Sequence, residues 1–135
     1  MDPLTIEARA AGQLLTHKEA LADAITRALY DDMPELAERY GEIGRVRCHE
    51  DVLYTLEHLI PAVELARPDM FAGYVRWLDS LLRARNVSTQ DVVRSLEVTE
   101  VVVRQRFAPN AADAVATCIR AGLATLLGAP SEQGA

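Results

Sequence analysis

The stretch Arg45-Val46-Arg47-Cys48-His49-Glu50-Asp51-Val52-Leu53-Tyr54-Thr55-Leu56 decides the class of this chain. Its apolar positions run on as Cys48, Val52, Leu56, Leu59, Ile60 and Val63, the three- and four-residue spacing of one helix face. The pattern predicts a long helix from about Gly44 to the stop at Arg67-Pro68-Asp69. Pro61 should bend it by removing one hydrogen bond from the ladder. Cys48 and Asp51 stand three apart, so a soft thiol and a carboxylate point into the same space.

Working outward, Thr16-His17-Lys18-Glu19 reads as a capping box that opens a helix carrying Leu21, Ala22, Ile25 and Leu29. The Ala-rich segment from Pro3 to Leu15 would form a short helix before it. Asp31-Asp32-Met33-Pro34 then closes this element and opens a brief one ending near Gly41. Downstream, Asp69 is the expected cap of a helix with Met70, Phe71, Tyr74, Val75, Leu78, Leu81 and Leu82, ending around Arg85-Asn86. Ser88-Thr89-Gln90-Asp91 caps another, which carries Val92, Val93, Leu96, Val103 and Phe107. Val101-Val102-Val103 has strand propensity, but the flanking caps favour helix. Pro109-Asn110 opens the last helix, with Val115, Cys118, Ile119, Leu123 and Leu126 on its apolar face, up to Gly128 and Pro130. No hairpin dipeptide, alternating strand, phosphate loop or repeat is present. The expectation is an all-α, globin-like fold of six to seven helices with a bent central helix, crossing at steep angles rather than as equal rods. Residues 1–130 form one domain and Ser131–Ala135 a polar tail.

The composition narrows function. Half of the 135 residues are hydrophobic, enough for a core, and 14 Lys and Arg against 20 Asp and Glu give a net charge of −6. With no basic cluster, nucleic acid is a poor partner. The pairs Arg45/Arg47, Arg83/Arg85 and Arg104/Arg106 splay apart on helices and read as mainly solvated positions. Met1 to Glu7 lacks a basic start followed by an apolar core, and no apolar run is long enough to span a bilayer, so a soluble, cytoplasmic protein is expected. Cys48 and Cys118 lack metal-ligand spacing and read as reduced thiols. No Ser-His-Asp, Cys-His or paired-carboxylate arrangement suggests an enzyme.

The order Tyr30, Pro34, Tyr40, Cys48-x-x-Asp51-x-x-Tyr54-x-Leu56, Tyr74, the Ser88 cap and Asn110-Ala111-Ala112-Asp113 resembles the phycobiliprotein branch of the globin superfamily over roughly the last hundred residues. The resemblance implies a globin fold, a thioether from Cys48 to a linear tetrapyrrole (bilin), and Asp51 binding the pyrrole nitrogens. Because Glu50 stands where the family has an arginine, Arg47 or Arg45 would hold a propionate. A related group, the pigment-free globin-like domains of bacterial stress and signalling proteins, is similar to this chain as well.

Tyr54, Tyr74 and Trp77 either line a tetrapyrrole slot or cement helix contacts. Haem is the rival cofactor of a globin sensor, yet His49 and His58 share the long helix and no histidine follows, so a proximal ligand is missing. The chain therefore reads as a non-enzymatic sensory or regulatory binding domain. It would hold a bilin at Cys48, Asp51, Tyr54, Arg47 and Tyr74, or act without pigment on a signalling protein partner. A homodimer is expected through Leu14, Leu15, Leu21 or their neighbours, with no nucleic acid and no membrane involved.

Overall fold

A computed structural model describes residues 4–128, and their regular structure is entirely α-helical. Five helices follow one another among these residues: α1 (Ile6–Asp32), α2 (Glu35–Glu64), α3 (Pro68–Ala84), α4 (Thr89–Arg106) and α5 (Pro109–Leu126). The polar tail at 131–135 lies outside the described residues.

The count is smaller than six or seven for two local reasons. First, α1 runs unbroken through Thr16, and its cap is Thr5, whose Oγ1 accepts the Ala8 N–H at 2.9 Å. Ala10, Ala11 and Leu14 upstream of Thr16 and Leu21, Ala22, Ile25 and Leu29 downstream are buried as a single stripe. A break at Thr16 would take Leu14 off that stripe, and burial outweighs the local capping pattern. Lys18 instead reaches across to Glu57 on α2, with Nζ to Oε2 at 3.0 Å. Second, the brief helix after Pro34 joins the long one through Gly41, whose φ of 70° and ψ of −169° kink α2. The bend thus lies at Gly41 and not at Pro61. Proline sits in the last turn of α2, where its missing N–H forfeits one bond close to the helix end.

Two expected caps also shift. The N-cap of α3 is Arg67 and Pro68 is the first helical residue, while Asp69 accepts from Arg67 Nε at 2.9 Å and Nη2 at 2.7 Å. Ala108 precedes Pro109 at the start of α5, and Asn110 Oδ1 accepts the Ala111 N–H at 2.8 Å. Ser88 caps α4 as expected, accepting from Asp91 N–H. The three valines at 101–103 are helical, with Val102 and Val103 buried.

One core joins all five helices: Leu14 and Ile25 of α1, Leu56 and Leu59 of α2, Phe71 and Val75 of α3, Leu96 and Val103 of α4, and Val115 and Ile119 of α5. α3 and α5 approach closely at Gly122, where a Cβ would stand 2.8 Å from Val75 Cγ2. Leu14 and Leu21, expected on a dimer surface, belong to this interior, while Leu15 is exposed. No helix among the described residues is long and apolar enough to cross a membrane.

Candidate functional site

Cys48, Asp51, Val52 and Thr55 recur at three, four and seven along α2 and so form one stripe. The stripe faces the end of α1 at Leu29 and Tyr30, the end of α3 at Leu78, Leu82 and Arg85, and the start of α4 at Asp91, Val92 and Ser95. Between them lies a cavity of about 210 Å³. The kink at Gly41 shapes its mouth, because it places Tyr40 and Ile43 beside Gly44 on the rim. Its inner wall is mostly apolar, and its charged groups, Arg47, Asp51, Arg85 and Asp91, sit at the less buried edge.

These charges differ in how they are engaged. Asp91 is occupied: Tyr40 Oη donates to its Oδ2 at 2.7 Å and Arg39 Nη1 at 2.8 Å. Asp51, Arg47 and Arg85 make no side-chain hydrogen bond or ion pair among the described residues. Burial raises the Asp51 carboxyl above its ordinary range, and the charge of Arg85 offsets only part of that. Burial, with a smaller contribution from Asp51, pushes the Cys48 thiol up to about 11. At neutral pH this sulfur is a protonated, weak donor and a poor nucleophile. Tyr30 is 7 % exposed and its ring lies under the Arg45 guanidinium at 4.8 Å, while the buried side-chain polar atom that lacks a partner among the described residues is Thr26 Oγ1, on α1.

Of the residues expected at the site, Arg47, Cys48 and Asp51 share the cavity. Tyr54 and Tyr74 do not line it. Position 54 is six residues from 48, about 240° further round the helix, and Tyr54 joins an aromatic cluster between α2 and α3. There His58 stacks on Tyr74 at 4.3 Å, and Tyr54 and Trp77 lie 6.1 and 5.9 Å from Tyr74. Tyr74 still touches the site indirectly, since its hydroxyl is paired at 2.9 Å with Oγ1 of Thr55, a residue of the cavity wall. Comparison with protein-family models, curated proteins and solved structures finds no match. The histidines lie elsewhere: His49 Nε2 is 2.7 Å from Asp23 Oδ1, and His58 Nδ1 donates to the Tyr54 carbonyl at 3.0 Å.

A linear tetrapyrrole has four rings in a row, and pockets that enclose even drug-sized ligands run from about 300 to 1,000 Å³. At about 210 Å³, with its aromatic residues displaced and its thiol protonated, this cavity does not fit that group. Sequence reasoning missed Arg85 and Asp91 as wall residues, and Tyr30 and Tyr40 entered only through the family resemblance. All four reach Cys48 through tertiary packing, for which the chain carries no local signal.

Proposed function

We propose that this chain is a non-enzymatic regulatory binding domain, akin to pigment-free globin-like sensory domains, that takes a small organic ligand beside Cys48 and reports it at the neighbouring aromatic surface. The observation that carries the reading is the preformed, mostly apolar cavity of about 210 Å³ beside Cys48, whose wall includes Thr55.

The route outward is short. Thr55 forms part of the cavity wall and pairs with Tyr74, whose ring lies against Trp77. Trp77 is 50 % exposed and Tyr54 46 %, with ring centroids 6.3 Å apart. Exposed neighbouring aromatics of this kind suit a protein partner or a second copy of the chain. In this reading the homodimer surface moves from α1 to the α2–α3 face.

Trp77 is the only tryptophan, so its emission reports on the cluster. Titration with toluene, a neutral probe of suitable size, is expected to change Trp77 emission saturably, and Thr55→Val to uncouple emission from binding. Val92→Phe, which fills the cavity, should abolish binding in a chain that remains helical by circular dichroism. Absence of any saturable change in emission or in the amide resonances of Val52 and Val92 would overturn the reading.

A further inference from the structure

Resting on the cavity as a ligand site, we infer that residues 35–40 are its lid, turning on Gly41 and latched to Asp91 of α4. The backbone marks this segment off at both ends. Before it, Met33 leaves the helical region at φ −130° and ψ 77°, and Pro34 follows. After it, Gly41 stands at φ 70° and ψ −169°. Between these breaks the chain is helical, so the segment turns as one piece about the few positions that absorb the change in φ and ψ.

The segment closes one side of the cavity yet is held by little. Leu36 and Tyr40 both belong to the cavity wall. Leu36, 3 % exposed, is the one buried residue between positions 35 and 40, and Tyr40 is half-buried. Among the described residues, both side-chain hydrogen bonds that leave the segment for another helix end on one atom, Asp91 Oδ2. They come from Tyr40 Oη at 2.7 Å and from Arg39 Nη1 at 2.8 Å. Asp91 is itself fixed in the first turn of α4, where its N–H donates to Ser88 Oγ at 3.2 Å. The remaining walls come from α1, α3, α4 and the body of α2, which carry most of the shared core, so this segment is the part that opens most readily. Arg39 does not line the cavity, so losing its bond multiplies the open population equally in the free and the occupied chain. Entry and exit of a ligand then accelerate together.

Cys48, in the cavity wall, supplies a readout that needs no ligand. Its alkylation by iodoacetamide in the full chain, located by peptide mass spectrometry, follows the open population as long as closing outruns the reagent. Arg39→Gln with Tyr40→Phe is expected to raise that rate at least about fivefold, and Arg39→Gln alone by less, because each removes a hydrogen bond to a carboxylate. Cys118, 2 % exposed in the core, should keep its own rate and so report an intact fold. An unchanged Cys48 rate, or equal acceleration of both thiols, overturns the lid. With toluene as the probe, Arg39→Gln should raise the association and dissociation rates by the same factor and leave Kd within about twofold, read from the amide line shapes of Val52 and Val92. A rise confined to dissociation overturns the lid as well. If toluene does not bind while Cys48 alkylation still accelerates, the lid stands as a motion and the reading of the cavity as a ligand site fails.

Discussion

Gly44 keeps the mouth of the cavity open for a reason visible at single atoms. A Cβ there would fall 2.2 Å from Tyr40 Cβ, an atom fixed to the backbone and unable to swing aside. Tyr40 is in that place because Gly41 adopts a positive φ, and its hydroxyl then reaches Asp91. Gly44→Ala is therefore expected to lower stability by about 2 kcal/mol, in the range of overpacked sites, and to release Tyr40 from Asp91. Gly12→Ala is the control: nothing lies within 4 Å of that position on α1, so removing glycine should stabilise by about 0.5–1 kcal/mol. Urea midpoints moving the same way in both variants would refute this account of Gly44. At this scale the Cys48–Asp51 pairing was legible, because a separation of three fixes a shared helix face. The placement of Tyr54 was not, since it rested on family likeness and the same helical arithmetic carries that residue away.

Between elements, Glu100 centres an ion-pair network across the α4–α5 seam. Glu100 accepts from Arg104 Nε at 3.0 Å and from Arg120 Nη2 at 2.7 Å, and Arg104 Nη1 continues to Asp113 Oδ1 at 2.9 Å. Burial pushes the Glu100 carboxyl up, but the Arg120 and Arg104 guanidiniums more than reverse this and leave it below its ordinary value of 4.5. A carboxyl depressed in the folded state adds stability above its unfolded pKa and loses it as pH falls through the folded one. Glu100→Gln should cost about 1 kcal/mol near pH 7, a figure limited by the exposure of its partners, and progressively less below pH 4.5. A cost that persists unchanged in acid, measured by urea unfolding, would show that charge is not what Glu100 contributes. Helix boundaries set by Ser88 and Pro109 were readable because those signals act locally. The division of α1 was misread because Thr16-His17-Lys18-Glu19 is equally tolerable inside a helix, and only the continuous burial from Ala10 to Leu29 decides the matter.

For the whole molecule, burial of weak acids sets the alkaline limit. Burial pushes the thiols of Cys48 and Cys118 up to about 11 and the Tyr74 phenol up to about 12. Each group holds its proton more tightly folded than unfolded, so its contribution is complete below the unfolded value and disappears as pH rises through the folded one. The urea midpoint should therefore hold steady to about pH 8, begin to fall as the free thiol, half ionised at its ordinary value of 9.0, loses its proton, and decline from there to about pH 12. Cys48→Ala should make that decline shallower; a midpoint that rises in this range would contradict the burial of these groups. The amino-acid sequence by itself determined that the chain is helical, roughly where most helices start and stop, and that Cys48 and Asp51 share a face, because caps and periodicity act over one or two turns. Only the tertiary structure decided that Leu14 and Leu21 lie inside and that the bend falls at Gly41. It alone brought Tyr30, Arg85 and Asp91 to Cys48 around a cavity. Those outcomes depend on which faces meet across tens of residues, where burial is shared between elements and no short stretch of chain encodes its partner.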